Sequence, residues 1–363
     1  MKLIIAGGGT GGHLFPGVAI AEELKARDPS AEILFVGTAR GIEARVLPRL
    51  GWPLALIKIS GLKTVGILGA IKGLIRIPLA LWQSLQIVRR IRPDAVIGVG
   101  GYASGPVVLA AWLCRVPTAI LEQNSIPGLA NKILGRIVRN VFLSFEHTRV
   151  FFAAKRILMT GNPIRADLQK RLDSHKETIR DPNAPFRVFC FGGSLGARAV
   201  NNVMVEATMA LKEQGKPPHV VHQTGKDDRE AVALRYQAAG IPADVLEFID
   251  DMASEYARAD LVISRAGATT VAELTAIGRP AILIPYPFAA DDHQAKNASE
   301  LQRAGAAVVF RQADVDGPRL AASIRDLMDN RATLGMMGAA MKALGRPNAA
   351  CAIVDWIIGQ ARA

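Results

Sequence analysis

The sequence predicts an α/β protein in two similar halves, each a parallel sheet with helices on both faces. Three observations lead there. Short apolar strands alternate with helical stretches through both halves, which is the pattern of crossover-connected parallel strands. Twice, such a strand runs into a glycine-rich turn that opens onto a helix. The first is Leu3-Ile4-Ile5-Ala6 into Gly7-Gly8-Gly9-Thr10-Gly11-Gly12-His13, the second Val188-Phe189-Cys190-Phe191 into Gly192-Gly193-Ser194-Leu195-Gly196. Between the halves, 163–185 holds Pro163, Pro182, Pro185 and many charges, the composition of a linker. At 363 residues the chain is long for one core and comfortable for two.

Taken in order, the first half has expected strands at 2–6, 32–37, 95–99, 117–121 and 140–143. Helices are expected at 16–27, 40–50, 67–91, 104–114 and 127–137. The second half repeats the alternation, with strands at 187–191, 218–223, 245–248, 260–263, 281–284 and 307–309. Its helices fall near 196–214, 227–239, 268–277 and 291–304, and the tail from about 340 is helical. The expected domains are therefore 1–163 and 164–340. From its residues alone, the tail fits either domain.

Half of the residues are apolar, so large cores are available. The chain opens directly on a strand, with no charged segment leading into an apolar one, so no secretory leader is expected. Cys114, Cys190 and Cys351 are odd in number and lack metal-site spacing, which points to a reducing compartment and away from a disulfide frame. The net charge of +12 is uneven: residues 1–163 carry 20 Lys/Arg and 8 Asp/Glu, the remainder 24 and 24. A nucleic acid, an anionic lipid surface or a pyrophosphate substrate would each suit such a first half.

The stretch 65–88 is apolar but interrupted by Lys72, Arg76 and Pro78, so it does not read as a membrane span. Ile67, Leu68, Ile71, Leu74, Ile75 and Leu79 recur at helical spacing, continued by Trp82 and Leu85. Lys63, Lys72, Arg76, Arg89, Arg90 and Arg92 border them, a pattern suited to an anionic membrane interface as well as to a buried helix with a solvated edge.

Each glycine turn suits an anion, because unpaired N–H groups and the positive end of a helix dipole converge there. Gly7, Gly9 and Gly12 formally match G-x-G-x-x-G. The second strand, however, ends Phe35-Val36-Gly37-Thr38 with no acid until Glu43, which argues against a nicotinamide dinucleotide. His13, at the turn's exit, is placed to take a proton from a hydroxyl or simply to cap. After the strand Leu261-Val262-Ile263, Gly267 is expected to permit a tight turn, with the N–H groups of Ala268, Thr269 and Thr270 facing a phosphate. Glu273, one turn on, suits a ribose diol or a capping box. Asp291 or Asp292 suits a helix cap, and Asp314-Val315-Asp316 before Gly317-Pro318 reads as a cap rather than a metal motif. His219 and His222 lie three apart on one strand, poor geometry for one metal.

Several segments together resemble one family: Gly8–His13, Gly100-Gly101-Tyr102, Glu122-Gln123-Asn124, Gly161-Asn162-Pro163-Ile164-Arg165 and Gly192–Arg198. Phe248-Ile249-Asp250-Asp251-Met252, Ser264–Gly267 with Glu273, and Asp291-Asp292-His293-Gln294 with Asn297 complete the set. The chain is similar, from residue 2 to about 305, to the MurG family of peptidoglycan N-acetylglucosaminyltransferases. The resemblance implies a GT-B fold, two Rossmann-like domains with parallel sheets facing across a cleft, and a C-terminal helix 341–363 returning to the first domain. It implies transfer of N-acetylglucosamine from UDP-GlcNAc to lipid I, the undecaprenyl-pyrophosphate-linked MurNAc-pentapeptide. It further implies work at the cytoplasmic face of the cell membrane as a peripheral protein, with cell-wall assembly proteins as partners and no nucleic acid.

By the same resemblance Ile249 contacts the uracil and Glu273 the ribose. Ser194 and the helix start Ala268, Thr269 and Thr270 hold the diphosphate, Val271 and Ala272 continue the substrate-binding stretch, and Gln294 and Asn297 read the sugar. Arg165 and Asn124 also face the donor. Thr10, Gly11 and Gly12 belong to the acceptor side, with His13 as general base and Glu122 as a weaker second. The family can carry glutamine where His293 stands. No cofactor or metal is required. Two other readings remain: a UDP-GlcNAc 2-epimerase-like enzyme on the same fold, and a non-catalytic anionic-lipid-binding protein.

Overall fold

The computed structural model describes residues 1–59, 67–174, 184–193 and 196–361. They form two compact units, Met1–Ala166 with Arg346–Ala363 and Asp167–Gly345. The first unit is built on β1 (Lys2–Ala6), β2 (Glu32–Gly37), β3 (Leu54–Leu56), β4 (Ala95–Gly98), β5 (Thr118–Glu122), β6 (Asn140–Leu143) and β7 (Ile157–Met159). All pair in parallel, in the order β3-β2-β1-β4-β5-β6-β7.

Strand alternation divides the core of this unit in two. Leu3 and Ile5 pack on one face with Leu14, Val18 and Leu24 of helix Gly11–Arg27. Ile353, Val354 and Ile357 of the C-terminal helix Ala349–Ala361 complete that face. Ile4 and Ala6 point the other way, to Ala80 and Val88 of helix Ile67–Ile91 and Val107 and Val108 of helix Ser104–Leu113. Covered on both faces, the central strands read as continuous apolar runs. The C-terminal helix is also tied laterally. Trp356 donates its indole N–H to Asn140 at 2.8 Å, and Arg27 bonds Asp355.

The second unit carries β8 (Arg187–Phe191), β9 (His219–Gln223), β10 (Ala243–Leu246), β11 (Leu261–Ser264), β12 (Ala281–Leu283) and β13 (Ala307–Val309). Its parallel order is β10-β9-β8-β11-β12-β13. Val188 and Cys190 pack against Val200, Met204 and Val205 of helix Arg198–Glu213. The alternate residues Phe189 and Phe191 stack at 4.9 Å and meet Tyr256 edge-on.

In each unit the strand order reverses beside a central strand, between β1 and β4 and between β8 and β11. Ligands of open α/β sheets bind at the carboxyl ends of strands at such switch points. Both glycine turns lie there, one after β1 and one after β8.

The sequence reading missed β3 and β7, edge strands of three residues, and helix Met252–Arg258. Part of the supposed linker is helix Ala166–Ser174. The helix expected from 16 begins at Gly11, with Pro16 inside it. The tail divides near Pro347: helix Arg331–Ala343 belongs to the second unit and Ala349–Ala361 to the first. Among the described residues, no helix is long and apolar enough to cross a membrane. Leu79 and Trp82 of helix Ile67–Ile91 are exposed, whereas the motif residues 67–76 lie outside the described side chains.

Candidate active site

The first glycine turn differs from an open phosphate cradle. Its N–H groups already have acceptors: Gly7 donates to Val36 O at 3.0 Å, Gly8 to Gly100 O at 3.2 Å and Gly9 to the Glu43 carboxylate at 2.7 Å. The glycines are bare for another reason. A second loop, after β4, presses against them, and a Cβ on Gly101 (φ +79°) would lie 2.2 Å from Gly8 O. Donors for an anion are therefore confined to the helix start at Thr10, Gly11 and Gly12, where the first N–H groups have no intrahelical acceptor.

Thr10 is the exposed N-cap, but its hydroxyl makes no capping bond. It lies 3.2 Å from His13 Nδ1 instead. The imidazole also packs on the Gly100 backbone, where a Cβ would fall 2.5 Å from Cδ2. When Nδ1 carries the hydrogen and donates it to Thr10 Oγ1, Nε2 is left with the lone pair a general base needs.

Glu122 closes β5 in a buried turn. Its carboxylate accepts from Asn124 N–H at 3.0 Å, Gly128 N–H at 3.2 Å and the Asn131 amide at 2.8 Å. Burial raises its pKa above the usual carboxylate range, against the pull of these bonds. Such a group shapes the loop that presents Asn124 more than it reaches a substrate. The Arg165 guanidinium lies 5.4 Å over the ring of Phe15, on the helix of the first turn.

In the second unit, Gln223 at the end of β9 joins two loops. Its amide donates to Gly193 O at 3.1 Å, and its oxygen accepts the Ile249 N–H at 2.8 Å. Sequence reading passed over Gln223; a buried glutamine closing a strand beside a glycine turn was the available signal. Ser194 lies outside the described residues.

Helix Ala268–Ile277 starts at Gly267, with buried Ala268 and Val271 beneath half-buried Thr269, Thr270 and Ala272. The expected need for glycine at this turn is corrected: Gly267 has φ −64°, ψ 147°, which any residue adopts, and a Cβ would meet only Thr270 Oγ1 at 3.9 Å. Glu273, one turn into the helix, accepts the Tyr256 hydroxyl at 2.8 Å. Burial and that neighbouring carboxylate hold the Tyr256 phenol well above its ordinary pKa.

Around this helix start, Asn297 is fully buried and donates to Ala266 O at 3.2 Å, while Gln294 accepts the Tyr286 N–H at 3.0 Å. Arg265 pins the loop after β12 by bonds to Ile284 O at 2.9 Å, Pro285 O at 3.1 Å and Gln312 at 2.6 Å. Asp291 and Asp292 adopt left-handed φ of 53°, and Asp292 is the N-cap of helix His293–Arg303 without a side-chain capping bond. Asp316 caps helix Gly317–Asp329 by accepting Arg319 N–H at 2.8 Å. His222 is buried between Tyr236 and Asn201, apart from His219, which pairs with Asp244 at 3.5 Å. No group of three or more His, Cys, Asp or Glu among the described residues is placed to hold a metal.

Known proteins share both halves of this arrangement. Residues 3–143 match the glycosyltransferase family 28 N-terminal domain and 187–352 the family's C-terminal domain. A Myxococcus xanthus protein is 53% identical over 356 residues, covering 98% of this chain and 92% of its own. It is named a UDP-N-acetylglucosamine--N-acetylmuramyl-(pentapeptide) pyrophosphoryl-undecaprenol N-acetylglucosamine transferase. The crystal structure of Acinetobacter baumannii MurG superposes with a TM-score of 0.83 at 32% identity, covering 99% of each chain. The chain belongs to the MurG family. Its two parallel-sheet, Rossmann-like units are those of a GT-B glycosyltransferase of family 28. A Neisseria meningitidis UDP-GlcNAc 2-epimerase bound to UDP-GlcNAc shares the fold, with a TM-score of 0.70 at 12% identity over 99% of this chain and 100% of its own.

Proposed function

We propose that the chain moves N-acetylglucosamine from UDP-GlcNAc to the 4-hydroxyl of MurNAc in undecaprenyl-pyrophosphoryl-MurNAc-pentapeptide, converting lipid I to lipid II. The observation that carries the reading is near-full-length identity of 53% to a transferase named for this reaction, on a chain whose switch points carry the matching motifs. The acceptor oxygen attacks the anomeric carbon as the bond to the UDP oxygen breaks. The bonding pair leaves on the diphosphate, the hydroxyl proton passes to His13 Nε2, and the configuration inverts to a β linkage.

The second unit serves the donor in this scheme. Glu273, fixed by Tyr256, accepts from the ribose diol. Ser194 and the helix start Ala268–Thr270 meet the diphosphate, Ile249 the uracil and Gln294 the sugar hydroxyls, while Asn297, fully buried, braces that helix start through Ala266 O. Oriented N–H groups and Arg165 stabilise the charge that develops on UDP, as an oxyanion hole does. Thr10, Gly11 and Gly12 serve the acceptor pyrophosphate, and Asn124 stands on the loop that Glu122 braces. That bracing favours His13 over Glu122 as the base.

Peripheral attachment to the cytoplasmic membrane face fits the charge division. The first unit holds 23 Lys/Arg and 9 Asp/Glu, the second 21 and 23. Cell-wall assembly proteins are the partners that this position would offer. Incubation with labelled UDP-GlcNAc and a short-chain lipid I analogue tests the reading: the label is expected in the lipid fraction as a disaccharide. Formation of UDP-N-acetylmannosamine without acceptor, or no turnover at all, would refute it.

A further inference from the structure

Glu43 is fully buried and takes no part in the reaction just described. It begins helix Glu43–Arg49, 34 residues from the turn it touches. Its carboxylate accepts the Gly9 N–H at 2.7 Å, the Thr38 N–H at 2.9 Å and the Thr38 hydroxyl at 3.0 Å. Three glycines leave room for it. A Cβ on Gly8, Gly37 or Gly41 would fall 2.4, 2.5 or 2.0 Å from its side-chain atoms. Bare backbone on three sides of one carboxylate is a socket, and the three hydrogen bonds made in it are all accepted by the carboxylate, from Gly9 and Thr38.

We propose that Glu43 is a positioning residue for the transfer reaction: it latches the first glycine turn to the end of β2 and thereby sets the helix start that carries Thr10 and His13. The inference rests on the proposed function for its kinetic consequence only. Gly9 adjoins Thr10, and the Thr10 hydroxyl meets His13 Nδ1. Releasing the Gly9 N–H frees Thr10, and with it the bond that sets the imidazole. A carboxylate is needed because glutamine would turn an NH2 group toward one of the three donors. The latch also directs the acceptor's pyrophosphate to the helix start, since Gly7, Gly8 and Gly9 have spent their N–H groups on Val36, Gly100 and Glu43.

The test is Glu43→Gln, matched in size, with steady-state kinetics in both substrates and amide exchange at Gly9. The expected kcat/KM for the acceptor falls about 10²-fold, the loss that small misplacements of reacting groups produce. The acceptor KM rises while the donor KM stays within about twofold, and Gly9 exchanges at least about tenfold faster. A smaller folded fraction would lower kcat and move neither KM, so kcat loss with both KM values unchanged overturns the proposal. Unchanged Gly9 exchange overturns it as well. Should Glu43→Gln not fold, Thr38→Val removes one donor and is expected to give the same pattern, about threefold in size. If the wild-type protein transfers no sugar, the functional reading fails, and Gly9 exchange alone judges the latch.

Discussion

In the proposed reaction His13 takes a proton at Nε2, and the Thr10 hydroxyl orients the ring through Nδ1. General-base catalysis contributes about 10²–10⁴-fold, so His13→Ala is expected to lower kcat by at least about 10²-fold. A kcat within a few fold of wild type would remove His13 from the mechanism. A second residue-scale outcome concerns His222. Burial pushes its pKa down to about 3, so the folded second unit holds it neutral where an unfolded chain would protonate it. The unfolded chain then binds the extra proton as pH falls below the ordinary histidine range near 6.5. Stability of the second unit is full above that range and is lost progressively toward pH 3. Chemical denaturation at pH 7 and pH 4.5 should show this, and His222→Gln should flatten the difference; an equal slope in both proteins would contradict it.

At the scale of elements, the two loops of the first switch point are packed backbone to backbone. Gly101→Ala forces a Cβ to within 2.2 Å of Gly8 O at φ +79°. Strain of this kind costs about 1–3 kcal/mol, and a melt should show a drop of several degrees along with lost turnover. Gly105→Ala, in helix Ser104–Leu113 with nothing near its Cβ, is the control and should melt no lower than wild type.

The glycine turns and central strands were legible in the sequence because buried parallel strands leave unbroken apolar runs that end in glycine. β3 and β7 were not, since three half-exposed residues at a sheet edge carry no period. Among candidate site residues, those in local motifs stood out in the sequence: His13 at a turn exit, Glu273 one turn into a helix. Glu43 and Gln223 were not, because each acts on a glycine turn about thirty residues away in sequence. Glu43 entered the sequence reading only as an acid too late for a dinucleotide site. Gly37 and Gly41 on either side of its approach were the signal of a socket.

For the whole molecule, the net positive charge belongs to the first unit. Leu79 and Trp82 stand exposed on helix Ile67–Ile91, and no described helix can span a bilayer. Each basic residue near an anionic surface adds about 1 kcal/mol, screened by salt. The protein should float with anionic vesicles at low salt, less so at high salt, and not with neutral ones; equal flotation with neutral vesicles would contradict the electrostatic part.

The central claim is a single displacement onto a lipid-linked acceptor, and the stereochemistry of the product tests it most directly. NMR of the disaccharide released from the reaction with UDP-GlcNAc and a short-chain lipid I analogue should show a β linkage to O4 of MurNAc. An α linkage, or label found only in a free epimerised nucleotide sugar, would contradict it.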